Sequence, residues 1–187
     1  RTSYGGAVRC RWTSDVPQGL RRPRAPARRW GGRRRLGIDL LHENWSFGDG
    51  PSNNATILFP SLNFTLKNAD DPFFARQGYS YTALVQGAAE NVGSDLTFAQ
   101  LHVFASTVFS LGERSRLLLR GEFGAITTDN FDDLPPSLRF FAGGSQSVRG
   151  YGYKDLSPRD AQGNIIGGKY VSVLSAEVDY LVYENYG

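Results

Sequence analysis

The sequence of 187 residues predicts an all-β fold, with about six antiparallel strands of a transmembrane β-barrel. Three observations lead to this fold class. Apolar and polar residues alternate with a period of two over several segments. These segments exceed the ~5–6 residues usual for globular strands and reach the ~9–11 that a membrane-spanning strand needs. No apolar run approaches the ~18–20 residues of a transmembrane helix, and barrel strands do not need one.

The alternation defines six strands in chain order. We predict them at residues 36–47, 56–68, 78–90, 95–111, 115–127 and 170–183. In the fifth strand, Leu117, Leu119 and Phe123 share one face, whereas Arg116 and Arg120 lie on the other. An apolar face opposite a charged face suits a barrel with lipid outside and water or polar protein inside.

Aromatic residues near the ends of the predicted strands favour a membrane protein over a soluble β-sandwich, which would show the same alternation. They are Trp45, Phe47, Tyr79, Tyr81, Tyr180 and Tyr183. Trp and Tyr concentrate at membrane–water interfaces, so we expect these residues to form an interfacial girdle.

Residues 1–35 differ sharply in composition from the rest of the chain. They hold eleven Arg and one acidic residue, Asp15, whereas residues 36–187 hold ten Lys or Arg and seventeen Asp or Glu. Such an Arg/Pro-rich stretch buries too little apolar surface to offset its ordering entropy. We therefore predict that residues 1–35 are disordered or are not native sequence. As native sequence, they would suit binding to nucleic acid or anionic lipid.

A connection of about forty residues, 128–169, separates the last two predicted strands. Loops this long are usually functional or disordered. The connection contains the most specific motif in the chain, which comprises Arg139, Phe140, Phe141, Gly143, Gly144, Ser147, Val148, Arg149, Gly150 and Tyr151. Its glycines permit backbone conformations that residues with a Cβ disfavour, as a tightly folded loop tip requires.

This motif resembles the signature of the Omp85 superfamily of outer-membrane barrels. The resemblance rests on Val148 to Tyr151, preceded by Phe-Ala-Gly-Gly and a serine, and it extends over about residues 36–187. The surrounding sequence is most similar to the TamA branch. The family implies a sixteen-stranded barrel preceded by periplasmic POTRA domains, with the long loop folded back into the lumen. The chain would then be a fragment of such a barrel.

Arg149 is the candidate functional residue with the clearest physical requirement. Its guanidinium keeps its charge and presents five donors in a rigid fork, so a lumenal position requires an acidic partner. Glu177 and Asp179 lie on the inward face of the following strand, and the resemblance favours Glu177. The pair either pins the loop to the wall or serves substrate handling directly. In both cases we expect Phe141 and Tyr151 to pack as loop anchors.

The sequence offers no constellation for catalysis or metal binding. The two histidines, His42 and His102, are far apart in sequence, and the single cysteine, Cys10, lies in the Arg-rich segment. A histidine-based triad, a zinc site and a disulfide framework are therefore not supported. We predict no enzyme activity, no cofactor, no metal and no small-molecule substrate.

The resemblance implies a factor of the bacterial outer membrane that inserts or secretes β-barrel proteins, such as autotransporters, without a chemical reaction. The implied partners are outer-membrane lipid, client outer-membrane proteins and an inner-membrane TamB-like protein, with no nucleic acid. The nearest alternative is another Omp85 branch, either the central barrel-assembly subunit or a two-partner secretion transporter. An alternative of another class is a soluble β protein with a basic nucleic-acid-binding tail, whose DNA affinity would fall steeply with salt.

Overall fold

A computed structural model of the chain describes residues 4–17, 31–48, 50–71, 75–145 and 147–180. These residues form one antiparallel sheet of seven strands in sequential order. The strands are β1 (Tyr4–Pro17), β2 (Gly31–Trp45), β3 (Asn53–Ala69), β4 (Gly78–Ala88), β5 (Phe98–Ser110), β6 (Ser115–Thr128) and β7 (Tyr170–Tyr180). The all-β fold with long antiparallel strands is confirmed, and the sheet is consistent with part of a β-barrel. The described ranges contain no helix long and apolar enough to cross a membrane.

The structure differs from the prediction for residues 1–35. Tyr4–Pro17 forms β1, and β2 begins at Gly31, upstream of residue 36. The prediction of disorder is therefore wrong for residues 4–17 and 31–35, while residues 18–30 lie outside the described part of the chain. This additional strand raises the number of strands from the predicted six to seven.

Acidic partners explain why an Arg-rich segment forms a strand. Asp39 of β2 is fully buried, and its Oδ1 accepts hydrogen bonds from Arg9 Nε at 3.0 Å and Arg11 Nε at 2.6 Å. Asp15 of β1 in turn accepts a hydrogen bond from Arg35 Nε at 3.1 Å. Composition counts the charges of a segment, but the antiparallel register decides which charges meet.

One face of the sheet is apolar and exposed. Side chains alternate between the two faces of each strand. On this outward face, the register pairs Val103 with Phe123 and Leu101 with Ala125. Its exposed large apolar side chains include Leu36, Ile38, Leu62, Val85, Leu101, Phe123, Leu174 and Val178. A contiguous apolar surface across several strands is the surface that a barrel presents to lipid.

The opposite, inward face carries the hydrophobic core, which lies between the sheet and residues 129–169. Its buried members are Leu41, Trp45, Ala55, Ile57, Phe59, Leu96, Phe98, Ile126, Leu134, Leu138, Phe140 and Val171. Trp45 is 1% exposed and belongs to this core, so its assignment to an interfacial girdle is wrong. Tyr79 and Tyr81 stack with a ring-centroid distance of 5.1 Å, and Tyr183 lies outside the described residues.

Candidate functional site

The long connection between β6 and β7 folds into two parts. We call residues 129–142 and 157–169 the loop base, and residues 143–156 the loop tip. The two halves of the base pair through Phe140 and Gly168, whose amides donate to each other's carbonyls at 3.1 and 2.8 Å. The tip therefore projects from a paired stem.

The loop base is packed on the inward face of the sheet. Leu134 is fully buried and Leu138 is 2% exposed in the hydrophobic core. Gln100 of β5 donates from Nε2 to the carbonyl of Leu138 at 3.1 Å and accepts a hydrogen bond from Gln86 of β4 at 2.5 Å. This buried chain of amides joins two wall strands to the loop base, so the loop is fixed to the wall by both apolar and polar contacts.

The adjacent motif residues Phe140 and Phe141 contact different parts of the molecule. The Phe140 ring meets that of His102 edge-on, with centroids 4.8 Å apart, and His102 Nε2 lies 2.9 Å from Glu122 Oε1. Phe141 is half-buried, and Lys154 Nζ lies over its ring at 3.9 Å from the ring centroid. Phe140 therefore contacts the wall, whereas Phe141 packs inside the loop.

Three glycines of the motif shape the loop tip. Gly143, Gly144 and Gly150 have φ angles of 112°, 99° and 94°. A Cβ at Gly143 would lie 2.6 Å from the carbonyl oxygen of Gly152, so the turn needs glycine for both conformation and space. Tyr151 is 54% exposed, which differs from the packing predicted for it.

The structure brings Arg149 to Glu177 and not to Asp179. Arg149 Nη1 lies 3.0 Å from Glu177 Oε1 on the inward face of β7. Arg120 Nη2 of β6 also donates to both oxygens of Glu177, at 3.1 Å each. Asp179 instead accepts a hydrogen bond from Arg116 Nε at 2.9 Å. Glu177 is thus shared by one arginine of the loop tip and one of the wall.

Sequence reasoning missed Arg120 as the second partner of Glu177. The period-two alternation placed Arg120 on the charged face of its strand, which was the available signal. The register of β6 against β7, with Leu118 opposite Glu177 and Arg120 opposite Ser175, supplies the missing step. Alternation assigns a face, but pairing of two arginines with one carboxylate depends on register.

A cavity of about 400 Å³ lies between the loop tip and the wall. Its polar lining includes Ser106, Arg120, Glu122, Ser147, Arg149 and Glu177. Hydroxyl and charged groups of this kind can hold water or form hydrogen bonds with polar backbone groups. None of these lining groups forms a nucleophile–base pair. Within the part of the chain that the structure describes, no group of three or more His, Cys, Asp or Glu side chains is placed to hold a metal ion.

Comparison with known proteins agrees with this geometry. The family model described as the Omp85 superfamily domain matches residues 30–184. The chain belongs to the Omp85 superfamily. The match begins at residue 30, upstream of the boundary predicted at residue 36. Membership places this Omp85 chain in the bacterial outer membrane and agrees with the apolar outward face.

The chain is similar to the protein named outer membrane protein assembly factor BamA from Nitratidesulfovibrio vulgaris (strain Hildenborough), with 28% identity over 117 residues. The aligned region covers 62% of this chain and 15% of the relative. This Omp85 chain therefore spans only a small part of the length of the relative that it matches.

Proposed function

We propose that this Omp85 chain is part of an outer-membrane barrel that assembles or translocates other outer-membrane proteins without a chemical reaction. The superfamily match supports the proposal, as does the similarity to a relative named as an assembly factor. We further propose the TamA branch, with autotransporters among its clients and a TamB-like inner-membrane partner. The support for this branch is the sequence around Phe140 to Tyr151.

The contact between Arg149 and Glu177 is the observation that carries the proposal. It holds the loop tip, which bears the superfamily motif, against the inner wall at an Arg149 Nη1 to Glu177 Oε1 distance of 3.0 Å. Arg149 is 62% exposed and Glu177 is 26% exposed, so the pair contributes at most about 1 kcal/mol to stability. A contact with so small an effect on stability is better explained by placement of the loop than by folding of the barrel.

The mechanism that we propose follows from the energetics of strands in lipid. Unpaired backbone groups are costly in a bilayer, so a client strand needs a partner edge. A thinner membrane would also reduce the length of unpaired backbone that must enter lipid. The superfamily resemblance implies that a weak barrel seam and local membrane thinning supply both. The described residues would contribute the rigid wall and the lumenal loop that braces it.

The test compares two arginines that share one carboxylate, in the full-length parent protein. Arg149→Gln removes the contact between loop and wall, whereas Arg120→Gln removes a contact within the wall. We expect both variants to form folded barrels with heat-modifiable gel mobility, and only Arg149→Gln to lower client assembly. Glu177→Gln removes the carboxylate that both arginines share, so it should lower client assembly at least as much as Arg149→Gln. Normal assembly by Arg149→Gln would contradict the proposal.

The choice of branch needs a separate measurement. We expect depletion of the parent protein to reduce surface display of an autotransporter while leaving the total amount of outer-membrane barrels unchanged. A TamB-like protein should co-purify with the parent in detergent. A general loss of outer-membrane barrels would instead assign the chain to the central barrel-assembly subunit.

A further inference from the structure

Arg139 is a buried arginine at the centre of the loop base. It is 5% exposed, and its guanidinium donates hydrogen bonds to three backbone carbonyls. Nε donates to Leu134 at 2.8 Å, Nη2 to Asp132 at 2.9 Å and Nη1 to Ile166 at 3.0 Å. Two of these carbonyls belong to the first half of the loop base and the third belongs to the second half. One side chain therefore joins the two halves.

Aromatic rings fix the plane of this guanidinium. Arg139 Cζ lies 4.5 Å from the ring centroid of Phe131 and 5.1 Å from that of Phe47. A desolvated cation over an aromatic face is held more strongly than one in water. Phe47 follows β2, whereas Phe131 belongs to the loop, so the cation also ties the loop base to the end of a wall strand.

The second half of the loop base approaches Arg139 closely at one glycine. A Cβ at Gly167 would lie 3.0 Å from Arg139 Cβ and 2.9 Å from the Phe141 ring. Gly167 also has a φ of 80°, which side chains disfavour. Contact at this point and the hydrogen bond from Arg139 to Ile166 set the spacing of the two halves from which the tip projects.

We propose that Arg139 is the positioning residue of the loop tip, because it sets the spacing of the two halves of the loop base and so lets Arg149 reach Glu177. Gly143, the first residue of the tip, follows Arg139 by four positions, and the chain returns through Ile166 and Gly167. A change in the spacing or tilt of the two halves of the loop base moves the whole tip. This inference deepens the proposed function and rests on it only where client assembly is measured.

Lysine cannot replace Arg139 in this arrangement. The three accepting carbonyls surround a planar fork with fixed donor directions, and an ammonium group on a flexible stem does not reach all of them together. A lysine would keep the positive charge near Phe131 but lose part of the bond between the two halves. Arg139→Lys therefore separates the geometry of the fork from its charge.

The experiment measures the seating of the tip directly. Ser147 Oγ is buried at the tip, so a cysteine at this position reports whether the tip lies on the wall. In the full-length parent with Cys10→Ser and Ser147→Cys, we expect Arg139→Lys to raise the thiol alkylation rate by about tenfold, the effect of losing about one hydrogen bond of the charged fork on local opening. Arg159→Gln is the matched control, because Arg159 also lies in the loop base but contacts Asp155 of the tip through an exposed ion pair, at 3.0 Å, that should matter little to its seating.

Two further variants complete the test. Gly167→Ala should raise the alkylation rate in the same way, since its methyl group would lie 2.9 Å from the Phe141 ring and 3.0 Å from Arg139 Cβ at a φ of 80°, and it leaves the arginine in place. Arg149→Gln should add less to the rate in the Arg139→Lys background than it adds alone, because the contact that it removes depends on the seating that Arg139→Lys weakens. Folding of every variant is checked by heat-modifiable mobility.

The outcomes distinguish this inference from the proposed function. Parental alkylation rates in folded Arg139→Lys and Gly167→Ala barrels would overturn the role of Arg139, as would an equal rise in Arg159→Gln. Raised alkylation with normal client assembly would support the role of Arg139 and contradict the proposed function. Raised alkylation with reduced assembly supports both.

Discussion

The ring of Phe140 fills the space above Gly124 on the inward face of β6. A Cβ added to Gly124 would lie 2.3 Å from Phe140 Cζ and 2.6 Å from Cε1. Approaches this close do not occur between real atoms, so the missing side chain at position 124 creates the seat for the loop base. His102 borders the same seat, with its ring centroid 4.8 Å from that of Phe140.

We predict that Gly124→Ala displaces the loop base. The methyl group forces the Phe140 ring or the strand to move, and overpacking of this kind typically lowers the free energy of unfolding by about 1–3 kcal/mol. Urea unfolding of the refolded full-length barrel in lipid bilayers measures the change. In a Phe140→Ala background the methyl group fits the space left by the ring, so Gly124→Ala should then have little effect. An equal loss in both backgrounds would contradict the steric explanation.

The contact between Phe140 and Gly124 shows what the sequence could predict and what it could not. Period-two alternation assigned Leu117 and Arg116 to opposite faces and located the long loop. It gave no information on which loop side chain meets which wall glycine, because that match depends on the path of a connection without regular secondary structure. Periodicity offered Glu177 and Asp179 as inward-facing partners for Arg149, and the superfamily resemblance favoured Glu177, the residue that the structure brings to Arg149.

The two faces of β4 should respond differently to a charge. Ala83 lies on the outward face opposite Phe64 and Val103, whereas Thr82 lines the inward cavity. A lysine facing lipid near the bilayer midplane costs about 2–4 kcal/mol. Ala83→Lys should therefore reduce the yield of folded barrel in membranes, while Thr82→Lys should retain it. The fraction with heat-modifiable mobility measures both variants, and similar yields would refute the assignment of the faces.

Asp39 explains the strand that composition failed to predict. Its carboxylate is fully buried and accepts from Arg9 and Arg11, so Asp39→Asn leaves two cations without their charged partner. Hydrogen bonds to charged groups contribute about 1.5–3 kcal/mol, and we expect a loss in that range. Asp15→Asn is the control, because Asp15 and Arg35 are exposed and the loss should stay within about 1 kcal/mol. Equal losses in urea unfolding would show that the burial of Asp39 is unimportant.

Asp160 provides a pH-dependent turn in the second half of the loop base. The side-chain amide of Asn164 donates to Asp160 Oδ2 at 2.9 Å, and the backbone amides of Asn164 and Gln162 donate to Oδ1 at 2.8 and 3.0 Å. The hydrogen bonds from Asn164, foremost that of its side chain, hold the pKa of Asp160 below its usual value. The folded turn therefore favours the charged carboxylate. The stability that these hydrogen bonds contribute is fully present above the unfolded pKa of about 3.9 and is lost as the pH falls through the lowered, folded pKa.

We accordingly predict that the turn is most stable at neutral pH and becomes less stable as the pH falls below about 4 through the lowered pKa of Asp160. Amide hydrogen exchange at Gln162 and Asn164, corrected for intrinsic rates, measures the opening. Asp160→Asn supplies the control, because an amide does not titrate and the protection of both N–H groups should then be independent of pH. If protection were already lost between pH 7 and pH 5, or fell equally in Asp160→Asn, a group other than this carboxylate would control the turn.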